Sequence, residues 1–168
     1  MAYTAILGRR LNRPMINLGF SGNGPMELEV GRFMAELDPV LYVLDCLPNM
    51  EAQQVTERAV PFVKLLRQSH PDTPILLVEN ITYTNAGYLP ARRESYTSKN
   101  SALQKAYQQM VSEGFKKIFY LRGDQLLGHD GEPTVDGTHP TDLGFLRMAD
   151  VMEPVLREAL KATMHSEP

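Results

Sequence analysis

Short, nearly continuous apolar runs alternate along the chain with longer segments in which apolar residues recur at helical spacing. Continuous apolar runs are typical of strands that are covered on both faces of a parallel sheet. The amphipathic segments between them predict helices that pack on those faces. The predicted strands are residues 14–20, 40–46, 75–81 and 116–121. The predicted helices are residues 3–11, 26–37, 50–68, 98–113 and 142–162, with Thr141 as the cap of the last one.

The alternation of strands and helices predicts an α/β fold, with a parallel sheet between two layers of helices. No internal repeat or linker-like stretch divides the chain, so residues 1–168 are predicted to form a single domain. In such sheets, ligands bind beyond the carboxyl ends of the strands. A site is therefore expected in the loops that follow the predicted strands, at residues 21–24, 46–50, 82–97 and 122–140.

The composition narrows the class of protein. Hydrophobic residues make up 43% and charged residues 22% of the 168 residues, and the formal net charge is −3, which is typical of a globular protein. No run of lysine and arginine exceeds two residues, which argues against binding to a nucleic-acid backbone. No apolar stretch is long enough to predict a membrane-spanning helix. The single cysteine, Cys46, excludes an internal disulfide and a multi-cysteine zinc site. It does not indicate in which cellular compartment the protein lies.

The loop after the last predicted strand contains the sequence TVDGTHPTDLG, in which Asp136 and His139 are three residues apart. A histidine that a carboxylate holds in one tautomer is the usual general base of acyl transfer. The alternative is a polar turn in which Asp136 caps the loop and His139 lies in solvent. A metal site is a further alternative, because His129 and Asp130 are also nearby, but no helical motif of metal ligands supports it and we expect no metal.

The loop after the first predicted strand reads SGNG. The backbone N–H of Gly22 could donate to a developing oxyanion. Ser21 lies between a strand and a helix, as a nucleophile does in an elbow turn, but the sequence does not fit the pattern G-x-S-x-G. A tight turn in which the glycines supply positive φ angles is the favoured interpretation.

The loop after the second predicted strand reads DCLPNM. The side-chain amide of Asn49 could donate to the same oxyanion, or Asn49 could cap the helix that follows. Cys46 could act as a nucleophile paired with His139, although a small buried hydrophobic residue is the favoured interpretation.

The sequences SGNG, LPNM and DGTHPTDLG, in this order, resemble the sequence blocks of the SGNH (GDSL-type) hydrolases, which are serine esterases and lipases built on a flavodoxin-like parallel sheet. Gly22 matches the glycine of the family's second block, Asn49 the asparagine of the third, and Asp136 and His139 the D-x-x-H of the last. The segments AYTAILGRRL and LDCLPNM are most similar in sequence to a branch of this family that is found beside a small N-terminal β-domain in gut and soil bacteria. The resemblance covers essentially the whole chain.

The resemblance implies hydrolysis of a carboxylic ester, such as a short acyl group on a carbohydrate, without a metal or an organic cofactor. His139 would take the proton from a serine, Asp136 would orient His139, and Gly22 and Asn49 would donate to the oxyanion. The alternatives are a non-catalytic binding module that retains the pocket, or an esterase whose nucleophile has moved to Ser21 or Cys46.

The family's first block, a strand that ends in Gly-Asp-Ser or a close variant, has no match upstream of the helix at 3–11. The chain is therefore expected to be N-terminally truncated and to have little or no esterase activity by itself. The flavodoxin-like order puts the absent strand between 14–20 and 40–46, so both strands would lose a neighbour. We expect these two strands to close up, a second copy to pair through the exposed sheet edge as a homo-oligomer, or the chain to be part of a longer one. Met50 is a second departure, because many relatives have aspartate there.

Overall fold

The computed structural model describes residues 2–164, and these form a three-stranded parallel sheet with helices on both faces. The strands β1 (Tyr42–Leu44), β2 (Ile75–Val78) and β3 (Ile118–Leu121) lie in the order β1-β2-β3, so β2 is central. Tyr42 is in register with Ile75, and Ile75 with Ile118. The helices are α1 (Tyr3–Leu11), α2 (Leu28–Ala35), α3 (Ala52–Ser69), α4 (Pro90–Ser112) and α5 (Asp142–Met164).

The sheet separates two hydrophobic cores. Alternate residues of β2 point to opposite faces, so Ile75 and Leu77 pack with α3 and α4, whereas Leu76 and Val78 pack with α1 and α5. All four residues of β2 are fully buried, which explains why this strand is a continuous apolar run in the sequence. The carboxyl ends of the three strands therefore meet at one edge of a sheet that is rigidly covered on both sides.

The helix boundaries follow local chemistry. The N–H of Gly144 donates to Thr141 Oγ1 at 3.2 Å, so the predicted cap of α5 is confirmed. The N-cap of α3 is Glu51, which exchanges hydrogen bonds with Gln54 in a capping box. The alternative role of Asn49 as the cap of this helix is therefore wrong.

The predicted strand at 14–20 is wrong. Its large apolar side chains are between 40% and 68% exposed, and among the described residues none of this segment pairs with β1. A strand requires a neighbour for its ladder hydrogen bonds, and β1 pairs with β2 alone in this part of the chain. The expectation that the two segments would close up is also wrong. The segment instead connects α1, which packs on one face of the sheet, to α2, which packs on the other.

Two other boundaries differ from the prediction. The second strand is shorter than 40–46, because only Tyr42–Leu44 pair with β2. The predicted loop at 82–97 is half helical, because α4 begins at Pro90. Proline suits the first turn of a helix, where its missing N–H is not needed. The first turns of α4 are polar, so they gave no apolar period that would have predicted a helix. None of the described helices is both long and apolar enough to cross a membrane.

Candidate active site

Asp136 and His139 form a hydrogen-bonded pair in the loop between β3 and α5. The imidazole Nδ1 lies 2.7 Å from Asp136 Oδ2. The other carboxylate oxygen accepts the backbone N–H groups of Thr138 at 2.9 Å and of His139 at 2.8 Å. The turn requires the left-handed conformation at Gly137, whose φ is +90°. The D-G-T-H sequence therefore brings the two side chains within contact distance through a local turn.

The electrostatics of the pair suit a general base. The backbone N–H of His139, then its imidazole, then the N–H of Thr138 hold the pKa of the Asp136 carboxyl well below its usual range. Asp136 is therefore an ionised acceptor, and it favours the tautomer of His139 in which Nδ1 faces it as the donor. The imidazole is 79% exposed, and its Nε2 has no hydrogen-bond partner among the described residues. That nitrogen can accept a proton from a hydroxyl group that comes within hydrogen-bond distance of it.

The side chain of Asn49, one candidate oxyanion donor, contacts the SGNG turn that contains the other candidate, Gly22. Asn49 Nδ2 donates to the backbone carbonyl of Asn23 at 2.9 Å, which holds the SGNG turn against the loop after β1. Ser21 and Gly22 both have positive φ angles, and the N–H of Asn23 closes the turn on the carbonyl of Phe20. Asn49 follows β1 and the dyad follows β3, so both lie at the carboxyl ends of the parallel strands.

Cys46 does not have the properties of a nucleophile. It packs against the core on the α3 face. Burial, and next the charges of Asp45 and Glu27, raise the pKa of its thiol to about 12. The thiolate is the reactive form of cysteine, so almost none of this residue is reactive at neutral pH. The structure therefore favours the interpretation of Cys46 as a small buried hydrophobic residue.

At pH 8, native Cys46 is expected to react with iodoacetamide roughly 10²-fold more slowly than in the chain unfolded by urea. The raised pKa leaves about one thiol in 10⁴ ionised, against an unfolded pKa of about 8.5. The greater nucleophilicity of the more basic thiolate offsets part of this difference. Mass spectrometry of the alkylated fraction over time gives both rates. Equal rates would return Cys46 to the candidate nucleophiles.

Both aspartates among the candidate metal ligands of the last long loop bind other side chains, Asp136 binding His139 and Asp130 binding Arg147. Both oxygens of Asp130 bind the guanidinium of Arg147, at 2.7 and 2.6 Å. Among the described residues, no group of three or more His, Cys, Asp or Glu side chains is arranged to hold a metal ion.

Sequence reasoning missed a buried polar network at the carboxyl ends of β2 and β3. Glu79 accepts the hydroxyl of Tyr120 at 2.5 Å and the N–H of Gly123 at 2.9 Å. Asn80, which is fully buried, exchanges two backbone hydrogen bonds with the side chain of Asn100, at 2.8 and 3.0 Å. The signal in the sequence was the pair Glu-Asn directly after a continuous apolar strand, because polar groups buried there need partners.

A half-buried pair, Tyr3 with Asp45, lies at the carboxyl end of β1. The Tyr3 hydroxyl donates to Asp45 Oδ2 at 2.6 Å, and burial raises the pKa of the Asp45 carboxyl. The Tyr3 ring also lies 6.3 Å from the ring of Phe145 in α5. Tyr3 thus links the end of β1, next to the Asn49 loop, to the helix that follows the dyad.

The sequence of residues 1–157 matches the model of the GDSL-like lipase/acylhydrolase family. The chain belongs to this family. The parallel sheet between helices is the fold of its solved GDSL-like relatives, so the predicted fold class is confirmed, with three strands in the described residues where four were predicted. No curated protein matches the chain by sequence.

Three solved structures show how far the similarity extends. A protein from Bacteroides ovatus described as a GDSL-like lipase is 40% identical, with a TM-score of 0.91 over 95% of this chain and 47% of its own. The salicylyl-acyltransferase SsfX3 from a tetracycline biosynthetic pathway is 20% identical, with a TM-score of 0.77 over 93% of this chain and 48% of its own. A family two carbohydrate esterase from Clostridium thermocellum is 17% identical, with a TM-score of 0.69 over 95% of this chain and 54% of its own. This GDSL-like chain thus spans about half the length of these structures.

Proposed function

We propose that this chain carries the general base and two oxyanion donors of an acylhydrolase that cleaves carboxylic esters. The observation that carries the proposal is the Asp136–His139 pair, in which a carboxylate fixed by two backbone N–H groups holds the imidazole at 2.7 Å. His139 Nε2 takes the proton of the attacking serine hydroxyl and later returns a proton to the leaving alcohol. Asp136 keeps His139 in the correct tautomer and stabilises the imidazolium.

The negative charge on the tetrahedral intermediate needs hydrogen-bond donors. The N–H of Gly22 and the side-chain amide of Asn49 are suited to this role, because the Asn49–Asn23 hydrogen bond holds Asn49 against the turn that contains Gly22. One N–H of the Asn49 amide is used in that bond, and the second is available. Each such donor contributes roughly 10²–10³-fold to the rate of acyl transfer.

The nucleophilic serine, in this proposal, comes from outside residues 1–168. Most described serines lie on or at the ends of α3 and α4, and none of them hydrogen-bonds His139 among the described residues. Among the described residues β1 is an edge strand, so its outer side is not paired with another strand. We propose that a strand of a longer product of the same gene pairs there and brings the serine to His139.

A short acyl group on a carbohydrate is the proposed substrate. Support comes from the carbohydrate esterases among the similar structures. The exposure of the dyad, with His139 at 79%, also suits a large leaving group that stays partly in solvent.

The experiment begins with the DNA upstream of Met1, which is sequenced and expressed together with residues 1–168. The long product is expected to hydrolyse p-nitrophenyl acetate and to be labelled by a fluorophosphonate on a serine upstream of Met1, whereas residues 1–168 alone show neither reaction. Turnover by residues 1–168 alone that is lost on His139→Ala would contradict an external nucleophile. No turnover and no labelling of the long product would contradict the catalytic proposal and favour a binding module.

A further inference from the structure

We propose that Asn85, together with Thr84, positions the catalytic dyad from the loop that follows β2. The 82–86 loop lies against the dyad loop, which we define as residues 133–140. This inference rests on the proposed role of the dyad, but the geometry that it concerns is measurable without turnover.

The dyad side chains are held by little packing of their own. Asp136 is 52% exposed and His139 is 79% exposed. Exposed side chains normally sample several rotamers, so a stable 2.7 Å contact needs a rigid backbone beneath it. The restraint on this pair must therefore come from the hydrogen bonds of the dyad loop.

The 82–86 loop supplies three of these hydrogen bonds. Asn85 Nδ2 donates to the backbone carbonyl of Asp136 at 3.2 Å, and the N–H of Thr84 donates to the carbonyl of Gly137 at 3.0 Å. The hydroxyls of Thr84 and Thr134 lie 2.5 Å apart. Two consecutive carbonyls are thus fixed at the point where the turn that presents Asp136 Oδ2 to His139 begins.

The contact between Asn85 and Gly137 is close. A Cβ added at Gly137 would overlap the Asn85 amide nitrogen. The amide oxygen of Asn85 is buried and has no hydrogen-bond partner among the described residues, which costs free energy. Packing optimised for Asn85 alone would have satisfied this oxygen. The side chain is held by its donor end, which points at the dyad loop.

The 82–86 loop is itself firmly anchored. Tyr83 is 4% exposed, and its hydroxyl donates to the side chain of Asn80 at 3.2 Å. Its ring packs edge-on against Tyr96 at 5.8 Å. Asn80 is in turn bound by Asn100 of α4. A continuous set of hydrogen bonds therefore runs from the buried end of β2 to the dyad.

The test measures the dyad directly by NMR in residues 1–168. In Asn85→Ala, the pKa of Asp136, followed by its carboxyl ¹³C shift, is expected to rise by about one unit, a tenfold change in proton affinity. The fraction of His139 with its proton on Nδ1, read from ring ¹⁵N shifts, is expected to fall. Tyr88→Ala is the matched control, because Tyr88 follows in the same chain segment and is 89% exposed. It should change neither value.

A dyad that is unchanged in a folded Asn85→Ala protein would overturn the proposal. If that variant does not fold, Asn85→Leu removes the donor at similar volume without adding a charge, and it should give the same two changes. A failure of ester hydrolysis leaves these NMR values unaffected, so the two proposals fail separately.

Discussion

Replacing His139 with alanine is expected to lower the rate of ester hydrolysis by about 10²–10⁴-fold in the long gene product. The variant loses the base that removes the serine proton, while the oxyanion donors Gly22 and Asn49 remain. Because binding of the ester does not use the imidazole, kcat should fall far more than KM rises. The measurement is the steady-state hydrolysis of p-nitrophenyl acetate, with a thermal melt to confirm that the variant folds.

His129→Ala is the control for this experiment. His129 is an exposed histidine of the same long loop, and it makes no contact with Asp136 that the structure records. Its replacement should leave kcat and KM unchanged. Asp136→Asn should lower kcat as well, because an amide in place of the carboxylate no longer fixes the Nδ1–H tautomer. Full activity of His139→Ala, or an equal loss in His129→Ala, would remove His139 from its proposed role.

The sequence predicted the dyad because its geometry is local. Asp136 and His139 are three residues apart, so a turn between them is enough to bring the two side chains within contact distance. The contribution of Asn85 was not predictable in this way, because its contact with Asp136 spans 51 positions of the chain. An Asn within TYTNAGY has the composition of any surface turn. Only the parallel pairing of β2 with β3 brings the two loops together.

The strands show the same distinction between local and long-range information. The run at 75–81 was predicted well because β2 is covered on both faces, and its continuous apolar composition reflects this burial. The run at 14–20 has a similar apolar composition, yet its large side chains are exposed. An apolar pattern shows which residues gain from burial, but a strand forms only where a neighbour offers hydrogen bonds. Residues 14–20 pair with no strand among the described residues, so their apolar composition alone did not make them a strand.

Gly123→Ala is expected to lower the free energy of unfolding by about 3 kcal/mol, the upper part of the range for overpacked sites. A Cβ at this position would overlap the backbone carbonyl of Asn80, which belongs to a rigid, buried strand end. Backbone cannot move aside as a flexible side chain can, so β3 and β2 must separate locally. For a chain of this size, the loss corresponds to a decrease in Tm of about 6–12 °C.

The same substitution is also expected to disturb the buried polar network around Glu79. If the strand ends separate, the hydrogen bond from the Gly123 N–H to Glu79 at 2.9 Å lengthens or breaks. The loss of a partner then leaves a buried carboxylate oxygen less well solvated, which adds to the steric cost. Gly87→Ala is the matched control, because a Cβ there meets no atom within 4 Å, and it should change stability by less than about 0.5 kcal/mol. Urea unfolding gives the free energy of unfolding of both variants. If Gly123→Ala is as stable as Gly87→Ala, the ends of β2 and β3 are not as close together as in the structure. The 82–86 loop, which contacts the dyad loop, begins at the same strand end. A large loss of stability in Gly123→Ala would therefore also mean that this loop is anchored in the folded core.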